Sequence, residues 1–256
     1  MKVNDFSKAQ GHWILAKMGK KVLRPGGKEM TRQLVSALQI AQTDDIVEFA
    51  PGLGYTASLA LQDHPHSYVG VDSDSDAIDQ LEKKIAGNNI KFINGNAANT
   101  TLGEGTKDKV FGEAMLTMHA DHRKLEIIRE AKRILKKGGL YAIHELGLND
   151  VNEDLKAQIQ KELALAIKVN AKPLTKGEWQ SLLENERFKV KNVFVNEMFL
   201  LEVKRLIDDE GFFRFLKISF NIIMNPKART RILEMRKIFR KYQHHLNAIV
   251  IIAEKE

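Results

Sequence analysis

Residues 47–57, VEFAPGLGYTA, leave an apolar run, turn on Gly52 and Gly54, and enter a helical pattern. Glycine at those places lets the backbone bend sharply and lets a ligand approach the main chain. Glu48, four residues before Gly52, stands where its carboxylate can make polar contacts beneath the loop. Asp72 ends the next apolar run, YVGVD, where a carboxylate can accept from both hydroxyls of a ribose. The helix starting near Tyr55 offers unpaired N–H groups, and Tyr55 itself is a candidate wall of the pocket. Nucleoside binding is the chemistry these types and spacings suggest. GLGYTA (52–57) also satisfies the dinucleotide fingerprint G-x-G-x-x-G/A, so a nicotinamide-dependent oxidoreductase and a turn with no ligand both stay open.

Further along, NGNAAN (94–99) puts Asn96 and Ala97 where an adenine can rest. GEAMLTMH (112–119) holds Glu113, which can take a proton from an acceptor amine or hydroxyl. His119, six residues on, is a second candidate base with a pKa suited to neutral pH. His144 and Glu145 end another apolar run, and strand alternation sends them to opposite faces. Glu145 is taken as the one facing the pocket. No cluster with metal-ligand spacing is visible, and no metal is expected.

These residues need elements to hold them. Strands are read at 45–49, 68–71, 90–93, 109–113 and 140–145, alternating with helical patterns, which predicts a parallel sheet covered by helices. DHRKLEIIREAKRILKKGG reads as a crossover helix capped by Asp121 and stopped by Gly138 and Gly139. Two late runs, 188–195 and 247–255, have no obvious crossover helix between them and predict an antiparallel pair at the sheet edge. The expected fold is α/β: a Rossmann-like, seven-stranded, mostly parallel sheet with helices on both faces, an antiparallel C-terminal strand and a helical cap insertion. The expected division is a leader or lid (1–44), a core (45–199 and 244–256) and the cap (200–243).

The acid inside the first strand, NGNAAN after the third and the late strand pair together resemble the class I S-adenosylmethionine-dependent methyltransferases. The resemblance is to the ubiquinone/menaquinone-biosynthesis-like small-molecule group, over about 45–195 plus the last strand. It implies S-adenosylmethionine as cofactor and S-adenosylhomocysteine as product. The family's acid-x-G-x-G-x-G motif falls on Glu48, Ala50, Gly52 and Gly54, with Ala50 standing where a glycine is expected. Asp72, with Ser73 beside it, matches the ribose acid, and Asn96 takes the place of a frequent adenine-binding Asp. Gly112 and Glu113 match positions beside the methionine part. Glu113 is then either a base or the partner of the cofactor's ammonium. In this family leaders often close over the cofactor, so Trp13, Ile14 and Leu15 can form a lid and Arg24 can meet a carboxylate. Arsenic methylation of the related kind needs cysteines, and the amino-methylating N/D-P-P-Y motif is absent where GEAM stands.

Composition narrows the acceptor only partly. The chain has 256 residues, 43% of them hydrophobic, no cysteine and a net charge of +7. Disulfide frameworks and thiolate sites are excluded. No run approaches the roughly 20 apolar residues that cross a bilayer, so a soluble, cytoplasmic protein is expected. Segment 225–241 holds seven basic residues and one acid, a net +6. The run before it, GFFRFLKISFNIIM (211–224), holds four of the twelve phenylalanines and is expected to be a buried cap helix. A lid over a greasy acceptor pocket is the sharper reading, with peripheral contact to an anionic membrane. The expected partner is therefore a small apolar or amphipathic acceptor. RNA or DNA methylation through the basic stripe is the alternative, set back by the apolar residues that interleave the stripe. No oligomeric state is implied.

Overall fold

The computed structural model describes residues 5–199 and 201–256. Helices α1 (Gly11–Lys17) and α2 (Gly27–Leu38) precede the sheet. Then follow β1 (Asp45–Phe49), α3 (Tyr55–Ala60), β2 (Ser67–Asp72), α4 (Ser75–Lys84), β3 (Ile90–Asn94), β4 (Lys107–Glu113), α5 (Asp121–Ile134) and β5 (Leu135–Leu148). The second half holds α6 (Glu153–Ile167), β6 (Leu174–Thr175), α7 (Lys176–Glu184), β7 (Phe188–Glu197), α8 (Val203–Glu210), α9 (Phe212–Ile223), α10 (Pro226–Lys241) and β8 (Leu246–Lys255).

The sheet runs β3-β2-β1-β4-β5-β8-β7, and the two-residue β6 joins the far end of β5. β1 to β5 are parallel, whereas β8 is antiparallel to both β5 and β7. The expected seven strands are all present; only β6, too short to leave a pattern, was not foreseen.

Alternation along the strands sorts side chains onto two faces. In β8, Ile249, Ile251 and Ala253 enter the core beneath α5 and α7, while Ala248, Val250 and Ile252 enter the core beneath α2, α3 and α4. α2 presents Met30, Leu34 and Leu38 to that second face, so half of the leader covers the sheet. A third core joins α1, α6, α9 and α10 through Ile14, Ala166, Ile218, Ile232 and Met235. This helical layer is the roof of the site, and the strand tips are its floor.

Two local expectations differ. α5 is preceded by Ala120 with no side-chain cap, and Asp121 instead bonds Lys124, whose side chain is fully buried, at 2.8 Å. The helix ends at Ile134, because Leu135 turns to extended backbone and already pairs with Lys107; Gly138 (φ +77°) sits in the bulged start of β5. α9 departs further. Only Ile218 is buried, while Phe213 is 86% and Phe220 62% exposed.

Candidate active site

A cavity of about 760 Å³ opens above the carboxyl ends of β1 to β4 and is closed from the other side by residues of the leader. That volume suits a nucleoside-sized ligand. In the floor, Ala50, Gly52 and Gly54 have φ of +55°, +54° and +75°. The left-handed region is strained for an alanine, so the turn survives its missing glycine at a cost. A Cβ on Gly52 would meet nothing nearer than the Ala50 carbonyl oxygen at 3.9 Å, so it would stand in open space. On Gly54 it would strike Leu81 at 2.5 Å. Gly52 keeps the cradle open, and Gly54 serves packing.

Asp72 accepts from the N–H of Gly52 (3.1 Å) and of Asp74 (3.0 Å), and lines the cavity with Ser73. Burial pushes its pKa up, against the pull of those N–H groups. A carboxylate has about four lone-pair sites, so capacity for ribose hydroxyls remains. Asn96 and Ala97 line the same cavity. The Asn96 side-chain oxygen already accepts from Ala98 N–H (3.0 Å) and from Arg123 (2.6 Å), so an adenine amine must displace one of them. Ala97 offers its apolar surface.

At the end of β4, Glu113 ties floor to roof. It meets Arg24 Nη1 at 2.9 Å and His144 Nδ1 at 2.7 Å, and the Thr56 hydroxyl also donates to it. Burial pushes its carboxyl up, but Arg24, followed by His144 and Thr56, outweighs this and holds it at about 2. An ionised Glu113 can only accept, so His144 Nδ1 carries a proton. His144 is fully buried and its Nε2 has no hydrogen-bond partner. The Arg24 guanidinium lies 5.6 Å from the Tyr55 ring centroid.

The other expected residues divide. His119 lines the cavity; burial, then the charges of Arg123 and Lys124, lowers its pKa, which leaves a neutral imidazole able to take a proton. Glu145 is placed elsewhere. It is fully buried and accepts from the N–H groups of Met115 (3.1 Å), Leu116 (2.8 Å) and Thr117 (3.0 Å) and from the Thr117 hydroxyl (2.7 Å). It braces the loop after β4 and cannot meet an acceptor. Alternation separated the pair correctly, but His144 is the one that reaches the site's carboxylate.

Four residues expected at the cofactor do not line the cavity. Glu48 lies below the loop, 2% exposed, accepting from the Tyr68 hydroxyl at 2.6 Å, and burial pushes its pKa up to about 8. Gly54 packs against Leu81, as above. Tyr55 faces Arg24. Gly112 is a glycine because a Cβ there would lie 2.9 Å from the Met115 sulfur and 3.3 Å from the Phe49 carbonyl.

The leader contributes more than the sequence suggests. Trp13 lines the cavity as expected, Leu15 lines a second one, and Ile14 is core. Gln10, His12, Lys21 and Leu23 were not foreseen. Burial lowers the pKa of His12 to about 4, although Asp74 pulls upward. No local spacing marks these residues; Gln10 and His12 reach the site through the packing of α1 on α6 and α10, and the segment with Lys21 and Leu23 is held by Glu210, which accepts from the N–H groups of Lys21 and Val22.

The second cavity, about 80 Å³, adjoins the first and shares His12, Leu23, Ala114 and Met118 with it. Its remaining wall is almost wholly apolar, including Leu15, Ile167, Met198, Met235 and Phe239. Residues from α1, α6 and α10 thus form a greasy slot behind the polar cavity.

The sheet order, a glycine loop at the tip of β1 and an acid at the tip of β2 define a nucleoside-binding α/β fold of the methyltransferase type. Residues 46–139 match the family described as a methyltransferase domain. The chain is 35% identical over 250 residues to an uncharacterized protein of Haemophilus influenzae, covering 96% of this chain and 98% of that one. Among solved structures it is similar to the [4+2]-cyclase SpnF, with a TM-score of 0.73, 12% identity, and 94% and 91% of the two chains covered. It is also similar to a Haemonchus contortus phosphoethanolamine N-methyltransferase in complex with phosphomonomethylethanolamine and S-adenosylhomocysteine. There the TM-score is 0.69 at 15% identity, with 95% of this chain and 56% of that chain covered. Residues 46–139 thus form a methyltransferase domain, and the chain has the fold of the class I S-adenosylmethionine-dependent methyltransferases.

Proposed function

We propose that the protein methylates a small apolar or amphipathic acceptor, held in the slot behind the cofactor cavity. The observation that carries this is the shared wall: His12, Leu23, Ala114 and Met118 line both the polar cavity and a space whose remaining wall is almost wholly hydrocarbon. A polar acceptor would lose hydration there without gaining partners, whereas an apolar one is favoured.

Asp72 is the natural holder of the ribose, Ala97 and Asn96 of the adenine, and the open side of Gly52 of the chain between them. Glu113 and Arg24 together suit an amino acid's ammonium and carboxylate, since each is a charge of the required sign already buried at the cavity edge. When bound, S-adenosylmethionine supplies an electrophilic sulfonium methyl group. The residues around it align the acceptor and exclude water. His119, neutral and on the cavity wall, receives the proton that an O–H or N–H acceptor gives up. Glu113 remains ionised and positions rather than exchanges protons.

Nucleic-acid methylation draws little support from the stripe at 225–241. Arg231 is buried, Arg236 and Arg240 pair with Glu202 (3.2 and 2.6 Å), and Lys241 pairs with Glu162 (2.7 Å). Among the described residues, no helix is long and apolar enough to cross a membrane.

The test is transfer of label from methyl-labelled S-adenosylmethionine into a fractionated cell extract. Label is expected in the small-molecule or lipid fraction. Label confined to nucleic acid or protein would overturn the reading.

A further inference from the structure

α9 carries an apolar stripe on its solvent side. Phe213, Leu216, Phe220 and Ile223 recur at helical spacing and are 86%, 48%, 62% and 61% exposed, with Met224 at 65% continuing the row. Exposure of this kind along one helix face is a liability unless something covers it. Its opposite face is fixed: Ile218 is 1% exposed in the roof core, and the Asn221 amide donates to the Met18 carbonyl at 2.9 Å. The helix therefore cannot rotate to hide its phenylalanines.

Charge points to the occupant. From 211 to 233 there are five basic residues and no acid. Lys217 lies in the apolar row itself, exposed, and Lys227 and Arg229 are exposed just past its end. A two-fold contact with a second copy would bring these like charges together. An apolar row with cations among and beside it matches an interface where acyl chains meet anionic headgroups.

We propose that α9 is a membrane-docking helix that lies in the surface of an anionic bilayer, Phe213 and Phe220 inserted and Lys217 at the headgroups. The docked helix is seated on Met18 at the end of α1, the helix that carries His12 and Trp13 of the cofactor cavity and Leu15 of the apolar slot. Docking thus puts the leader side of the site next to the bilayer.

The experiment is co-sedimentation of the full chain with vesicles of phosphatidylcholine alone and of phosphatidylcholine with phosphatidylglycerol in equal parts. Phe213→Ser with Phe220→Ser, and Lys217→Glu, are compared with wild type. S-adenosylhomocysteine affinity serves as the folding check, since none of the three residues touches the cavity. Wild type is expected to pellet with the anionic vesicles and to be released by salt. The double variant should bind them at least about tenfold more weakly, as two buried rings are lost, with cofactor affinity unchanged. Lys217→Glu should bind the anionic vesicles about tenfold or more weakly. Three results would overturn the proposal: no pelleting, pelleting that survives the double substitution, or a concentration-dependent dimer that the same substitution dissolves.

Discussion

The floor and the roof of the site are built on different principles. In the floor, Asp72, Ser73, Asn96, Ala97 and Glu113 stand at the ends of adjacent parallel strands, and the turn at 50–54 is set by left-handed backbone at three alternate positions, 50, 52 and 54. Nearly all of this follows from short-range geometry. The roof is held by contacts between residues far apart in sequence. The Lys21 and Val22 N–H groups bond Glu210 (2.7 and 2.9 Å), Lys28 N–H bonds Asp209 (3.0 Å), and buried Lys20 meets Asp209 at 3.5 Å. Arg24 is the place where the two meet. The cofactor end of such an enzyme is fixed by the sheet, while the acceptor end depends on which helices are laid over it.

The sharpest way to break this contrast is to cut the tie. Arg24→Met leaves Glu113 buried without its cation, and loss of one partner of a buried pair typically costs about 3–5 kcal/mol. Chemical denaturation should show a loss of that order, larger than for any floor substitution below. Because the folded Glu113 carboxyl is depressed to about 2, its stabilising contribution is present above about pH 4.5 and is lost as pH falls toward 2. Arg24→Met should weaken that acid-side dependence, leaving the part due to His144 and Thr56.

Within the floor, Asp72→Ala should weaken S-adenosylhomocysteine binding by about 1–3 kcal/mol, read by calorimetry, the loss of charge-assisted hydrogen bonds. Unchanged affinity would place the ribose elsewhere. Glu48 gives a pH test of opposite sign. Its folded pKa is raised to about 8, so its contribution is whole below about pH 4.5 and falls away as pH rises through 8. Glu48→Gln should flatten that decline in thermal melts. The smallest effect belongs to Ala50→Gly, which relieves a left-handed alanine at φ +55° and should stabilise the fold by about 1 kcal/mol or less.

The same contrast explains what the sequence disclosed. All seven long strands and the cavity-lining Asp72, Glu113 and His119 were legible, because alternation and a loop motif are local signals. Glu145 misled because a carboxylate at a strand end looks alike whether it faces a ligand or three backbone N–H groups. Gly112 and Gly54 stood in a motif, yet their reason is the volume of Met115 and Leu81. His12 and Gln10 left no trace, since only the packing of α1 brings them to the cavity. α9 misled in the other direction: a phenylalanine-rich run reads as buried, and its exposure comes from a helix that docks by one residue row.

The most direct test of a site closed jointly by floor and roof uses Trp13. The chain has two tryptophans, and Trp13 lines the cofactor cavity whereas Trp179 is fully buried elsewhere, its indole N–H pointing to the Leu146 carbonyl. Tryptophan emission would be followed while S-adenosylhomocysteine is titrated into wild type and Trp13→Phe, with calorimetry confirming binding in both. A saturable change in wild type that vanishes in Trp13→Phe is the expected result. Binding with no change in wild type, or a change that persists in Trp13→Phe, would show that the leader does not close the site.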